Sequence, residues 1–407
     1  MLFELPNISI EESRKILKYF VAQYKAKNNS FFLGNSSAQF IEDNLYQIII
    51  EDSAVSNINE KCSIFWKLTV KENEQLKSIE VLDDKGQSAK YCSDFLNKIY
   101  QKILLNALVK KEDLFFKRNY FFYKHPTNLS GEYWLDSRTR IGPLYTNDNV
   151  NHLDPIERVL VVDQEIFAID SDDASDLSYI DSSEIISQLS ILLNIGFYRG
   201  SFDHRYAILK NAKGEYENPR IQLGIIDKNR PNQLPKKGEL CGLDRPKYSF
   251  TKHDHYFSEA LHFPKETRKI INHFKSSSPL TKNSFYNCCK MFEIGLNLDQ
   301  NLPSAKISYY VGAINSLFPI NKSESEFRAF MKKYQPNIED NSLDFIYGKV
   351  RSSHWHFGTS VFEENKSKNS YQILNPNSQL SFFRIRYSEQ ILRNALCNWI
   401  LNQLDQK

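Results

Sequence analysis

The chain has 407 residues, of which 41% are hydrophobic and 25% charged, the balance of a globular protein with room for two or three domains. Its formal charge of +3 excludes a strongly acidic or basic character overall, yet it divides unevenly: residues 250–407 hold 20 Lys and Arg against 14 Asp and Glu, while residues 1–249 hold 32 against 35. The C-terminal part is therefore the better match for a polyanionic partner.

Taken in chain order, MLFELPNISIEES carries acids and no apolar h-region, so no signal peptide is expected. IEESRKILKYFVAQY and SDFLNKIYQKILLNALVKK space their apolar residues at three and four and predict amphipathic helices. CSIFWKLTV, KSIEVLDD, ERVLVVD and QEIFAID are short β-branched or aromatic runs bounded by turn residues and predict strands. SSEIISQLSILLNIG then predicts a helix, and ISQLSILLNIGF, the longest apolar stretch, is too short and too interrupted to span a bilayer. Residues 226–248 gather Pro, Gly, Lys and Asn without period and predict a linker. Six cysteines without a C-x-x-C pair fit reduced thiols in a cytoplasm rather than a disulfide framework or zinc ribbon.

Beyond residue 250 strand signals become scarce. HYFSEALHF, KETRKIINHFKS, SFYNCCKMFEIGLNL, SAKISYYVGAINSLF, SESEFRAFMKKY, SLDFIYGKVRSSHWHF and FRIRYSEQILRNALCNWILNQL follow one another as amphipathic segments. Several open with Ser or Asn, as helix N-caps do, and proline falls between them at 264, 279, 303, 319 and 336. The expected fold class is α+β: a mixed region at 1–225, the linker at 226–248, and an all-α bundle over 249–407.

Arg and His separated by four residues occur three times: Arg199/His204, Arg268/His273 and Arg351/His356. The first pair lies in a Gly-containing turn. The second lies in mid-helix, where a surface cation and a half-buried His are the default reading. The third sits in RSSHWHFG, after a helix ending FIYGKV.

Here residues 280–404 resemble the Apea-like branch of the HEPN superfamily, helical-bundle proteins that often act as RNases in bacterial defence. The resemblance is carried by FYNCCKMFEIGLNL, by SAKISYYVGAINSLF with its Ala313-Ile314-x-x-Leu317 run, and by the Tyr347-x3-Arg351-Ser352-x3-His356 block closing near Gly358. It implies an active site of Arg351 and His356 with Ser352 in support, an RNA substrate, and a homodimer. The defence role implies a phage-derived trigger or regulatory protein as a further partner. Two departures stand out. Asn315 occupies a position where the family often has Glu, and Phe357 intervenes before the glycine that usually follows the His. Gly358 also removes the Tyr that some toxins of the family present for adenylylation.

The chemistry is legible without the family. RNA is cleaved without metal when the ribose 2′-OH attacks the adjacent phosphorus. That route needs a base, an acid for the 5′ oxygen, and a cation for the phosphorane. His exchanges protons near neutral pH, and Arg grips two phosphate oxygens without losing its charge. Arg351 is thus expected to clamp the phosphate and His356 to transfer a proton. On an ideal helix residues five apart diverge by about 140°, which keeps His354, three residues from Arg351, as a second candidate acid or base. One His per chain leaves a proton-transfer role vacant, and a two-fold partner would fill it. The competing reading packs Trp355 and its histidines into a structural corner with Arg351 paired to Asp344, in a non-catalytic module that binds RNA or protein.

Other constellations point less far. His253, Asp254 and His255 offer two metal ligands without a placed third. DSDDASD at 170–176 lacks the later residues of an EF-hand and is expected to be a solvated acidic loop. Cys288 and Cys289 are expected to be core thiols. No phosphate-binding Gly loop occurs, and no cofactor is expected. The function expected is a metal-independent cytoplasmic endoribonuclease of antiviral defence or abortive infection, whose N-terminal region senses a trigger or selects substrate.

Overall fold

The computed structural model describes residues 2–4, 9–10, 12–18, 36–42, 45–55, 61–73, 75–82, 112–144, 150–152, 157–199, 205–209, 220–222, 227, 230–251, 260–298, 301–318, 323–362, 364 and 376–405. It is a mixed α+β protein whose named strands pair antiparallel. It divides into two compact units, Met1–Phe115 with Ile166–Leu177, and Phe116–Glu165 with Ser178–Lys407. None of the described helices is long and apolar enough to cross a membrane.

In the first unit, β1 (Leu2–Glu4), β2 (Ser36–Glu42), β3 (Leu45–Val55), β4 (Lys61–Lys71) and β5 (Leu76–Leu82) form one sheet in the order β1-β5-β4-β3-β2. Alternation makes it two-faced: Trp66, Leu68 and Val70 of β4 are buried, while Lys67 between them pairs across the ladder with Glu80 at 3.3 Å. A short helix, α1 (12–18), opens on a capping box. The Glu12 amide donates to Ser9 Oγ at 3.1 Å and the Ser9 amide returns to Glu12 Oε2 at 2.9 Å. Ser13, in its first turn, accepts the Leu76 amide at 3.0 Å and ties the helix to β5. The predicted helix over SDFLNKIYQKILLNALVKK lies outside the described residues.

The acidic run at 170–176 is not a loop. Asp170 accepts the amides of Asp172 and Asp173 at 3.0 and 2.8 Å and caps α2 (Ser171–Leu193). Carboxylates gathered at that end complement the helix dipole, which explains the composition better than solvation alone.

The second unit holds a sheet of order β11-β6-β10-β8-β7, built from β6 (Asp113–Lys124), β7 (Tyr133–Trp134), β8 (Thr139–Pro143), β10 (Glu157–Ala168) and β11 (Phe197–Tyr198). A three-stranded sheet joins β9 (Val150–His152), β12 (Arg205–Leu209) and β13 (Arg220–Gln222). ERVLVVD and QEIFAID, expected as separate strands, are one strand, β10. From Thr267 onward the described elements are helical: α3 (Thr267–Lys275), α4 (Pro279–Asn297), α5 (Pro303–Asn315), α6 (Glu324–Tyr334), α7 (340–357) and α8 (Pro376–Asp405). Ser278 and Ser323 cap α4 and α6, accepting the amides of Thr281 and Glu326, and prolines stand at the starts of α4 and α5. HYFSEALHF does not continue this series where it is described. Leu261 there bridges to Leu129 in extended backbone.

The helices do not close a core of their own. Phe121, Tyr123, Leu160 and Val162 of the sheet belong to the same buried cluster as Phe285, Phe292, Val311, Ile346 and Leu396 of the helices. For the same reason the described residues of the expected linker, 227 and 230–248, do not separate two bodies. The Glu132 amide donates to the Gly242 carbonyl at 2.9 Å, and the Asp244 amide to the Glu132 carbonyl at 2.8 Å. Gly131 approaches this segment so closely that a Cβ there would lie 2.3 Å from the Gly242 carbonyl oxygen. Residues 230–248, expected to belong to a linker, are thus a packed arm inside the second unit.

Candidate functional site

Helix α7 carries the candidate residues and is wound unevenly. Asp340–Leu343 and Ser352–Phe357 are α-helical, whereas Asp344–Arg351 between them is a π-helix, a form that recurs at functional sites. Its apolar face, Leu343, Ile346, Tyr347 and Val350, is buried, and the helix packs against α5. Gly358, at φ of 61°, ends it in the left-handed conformation that glycine adopts without cost.

Arg351 and His356 meet. Arg351 Nη1 lies 3.3 Å from His356 Nε2. Guanidinium has no acceptor, so Arg351 donates and this ring nitrogen is the unprotonated one. The Arg351 guanidinium also sits 5.0 Å from the centre of the Tyr347 ring. No carboxylate pairs with Arg351 among the described residues; Asp344, the acid expected to hold it in a structural corner, pairs with Arg328. His356 is exposed, Trp355 is 47% exposed and Phe357 76%.

His354 is placed differently from its expectation. It faces the Trp355 ring edge-on at 5.4 Å, and Trp355 meets Tyr309 of α5 at 5.5 Å. Residues 352–357 are α-helical, so Arg351 and His356 diverge at the backbone as on an ideal helix, and they meet because the long Arg351 side chain reaches along the helix. Ser352 donates to the Tyr347 carbonyl at 3.1 Å, filling the wide turn rather than facing His356. Asn315 is buried, with a side-chain oxygen that finds no partner among the described residues.

Of the other Arg–His pairs, Arg268 holds the Trp134 carbonyl, with Nε at 3.1 Å, while His273 stacks edge-on against Phe274, so the two serve different contacts. Arg199 lies over the Tyr179 ring, 3.4 Å from its centre; His204 lies outside the described residues, as do His253, Asp254 and His255. Cys288 and Cys289 are fully buried, and burial pushes both thiols up, leaving them unreactive core groups.

Two buried polar clusters had no local signal in the sequence. Asp163 of β10 accepts Arg118 Nε and Nη2 at 2.6 and 2.7 Å and Arg140 Nη1 at 2.7 Å; Arg140 Nε reaches Glu132 at 2.6 Å, and Arg118 Nη1 reaches Asp227 at 2.9 Å. Burial, with the Asp227 carboxylate alongside, pushes the Tyr120 hydroxyl up to about 12. In the second cluster Ser130, His262 and Asp244 converge. Ser130 Oγ and Asp244 Oδ1 both approach the same ring nitrogen, His262 Nδ1, at 2.8 and 2.7 Å. A proton relay needs the two on opposite nitrogens, so this is a structural staple.

No protein-family model, no curated protein and no solved structure matches this chain.

Proposed function

We propose that the protein is a metal-independent endoribonuclease of the HEPN type that cleaves RNA by attack of the ribose 2′-OH on the adjacent phosphorus. The observation that carries this reading is the exposed contact between Arg351 and His356, in which a guanidinium with no carboxylate partner among the described residues meets the acceptor nitrogen of an imidazole. An RNA phosphate competes for the Arg351 donors, and its arrival releases His356 Nε2 to accept the 2′ proton. Arg351 then neutralises the charge that grows on the phosphorane. Ser352 supports the turn from which Arg351 projects, and His354, held against Trp355, is kept as the alternative to a second copy of the chain for the other proton transfer.

The reading we favour takes the acid for the 5′ oxygen from a second copy of the chain. Aromatic surface suited to such pairing lies on the same helix, at Trp355 and Phe357, and on the first turns of α8, where Phe382 and Phe383 are 54% and 65% exposed. Arg384 of α8 lies over the Phe345 ring of α7 at 5.1 Å, which brings that surface beside the motif. The same surface also fits the second reading, a non-catalytic module that docks a partner protein. The cytoplasm, a defence role and a phage-derived trigger belong to the first proposal.

The chemistry is tested on the products. Cleavage by 2′-OH attack leaves a 2′,3′-cyclic phosphate and a 5′-hydroxyl, and a strand with deoxyribose at the scissile position resists it. Cutting of the deoxy-substituted strand, or a 5′-phosphate product, contradicts the mechanism.

A further inference from the structure

A pocket of about 340 Å³ opens in the second unit, away from α7 in sequence and lined by residues of β7, the 230–248 arm and the start of α3. Three cations ring it: Lys237, Lys265 and Arg268. None of the three forms an ion pair with a carboxylate among the described residues. Lys237 lies over the Trp134 ring, 5.5 Å from its centre, and Arg268 spends one edge on the Trp134 carbonyl. The two carboxylates in the wall, Glu132 and Asp244, are already committed. Glu132 takes Arg140, the Trp134 indole N–H and the Gly238 amide, and Asp244 takes Ser130, His262 and the Phe263 amide. The net field of the pocket is therefore positive, and a concave wall concentrates it.

The remaining wall is apolar. Leu243, 54% exposed, and Pro246 supply it. Cations on one side and an apolar shelf on the other suit a ligand that is anionic at one end and flat and apolar at the other, and the volume is that of a small-molecule site. We infer that this pocket binds a nucleotide, its phosphates held by Lys237, Lys265 and Arg268 and its base resting on Leu243 and Pro246. The arm that forms the wall is fixed by its backbone pairing with Glu132, so the site is preformed. This inference stands independently of the role assigned to Arg351 and His356.

Calorimetric titration of the full chain with AMP, ATP, pyrophosphate and a 2′-O-methyl RNA 12-mer tests it. AMP and ATP are expected to bind, ATP more tightly. Reversing charge with Lys237→Glu and Lys265→Glu, neither of which removes a side-chain hydrogen bond from the fold, is expected to weaken ATP by about tenfold or more. Arg268→Lys, which keeps the charge, is expected to weaken it less, and Arg351→Ala is expected to bind ATP as the parent does. The inference is overturned if neither nucleotide binds, or if the reversal leaves affinity unchanged. Pyrophosphate binding as tightly as ATP overturns it by removing the base from recognition. RNA binding through these residues without nucleotide binding overturns it in favour of a polynucleotide groove.

Discussion

The second unit uses arginine in two opposite ways. Arg118 and Arg140 are sealed in the sheet layer, and each meets two carboxylates at hydrogen-bond distance. Arg351 closes the π-helical stretch of α7, holds no carboxylate among the described residues, and meets a ring nitrogen of His356. A buried guanidinium must be matched by acids, because an unpaired charge in the interior costs several kcal/mol, of order the whole stability of a domain. An exposed one carries no such obligation, and its donors stay available to an incoming anion. The same side chain is scaffold in one place and equipment in the other, and the carboxylates around it decide which.

The largest effect is expected at the sealed cluster. Asp163→Ala strips a shared carboxylate from Arg118 and Arg140 and is expected to cost about 3–5 kcal/mol in urea denaturation; a loss under 1 kcal/mol would mean that water reaches these groups. At the exposed pair, Arg351→Lys keeps the charge but loses the planar fork, so RNA cleavage is expected to fall about ten- to a hundredfold with the melting temperature unchanged. Acid separates the two places further. Burial raises the Glu132 carboxyl, but the Gly238 amide, Trp134 and Arg140 prevail and hold it below its ordinary value of 4.5. A depressed folded value means that its contribution to stability is whole above pH 4.5 and fades as pH falls through the lowered one. Glu132→Gln is accordingly expected to flatten acid unfolding below that pH. Smallest is Gly358→Ala, which forces a side chain into left-handed backbone and is expected to cost about 1 kcal/mol.

How much of this was legible follows the range of each interaction. Ser278, Ser323 and the prolines beside α4 and α5 announced the helices because capping is local. β10 read as two strands because Asp163 and Gln164 interrupt its apolar run; they are buried only because Arg118 and Arg140, and Ser178 and Asp181, arrive from elsewhere in the chain. The 230–248 arm read as part of a linker because its order comes from backbone pairing with residues a hundred positions earlier. At the site, the residue types and spacing of Arg351 and His356 were visible. The contact between them was not, since on an α-helix it depends on how far the Arg351 side chain reaches, which spacing does not give. The Lys237–Lys265–Arg268 pocket was hidden for the same reason as the arm that builds it.

RNA cleavage in the presence of EDTA, measured for the parent chain, Arg351→Ala and His356→Ala with circular dichroism confirming their folds, tests the central claim most directly. The parent is expected to cut, Arg351→Ala to lose about 10²–10³-fold and His356→Ala about 10²–10⁴-fold in rate. Equal cleavage by all three proteins would contradict the assignment of the site.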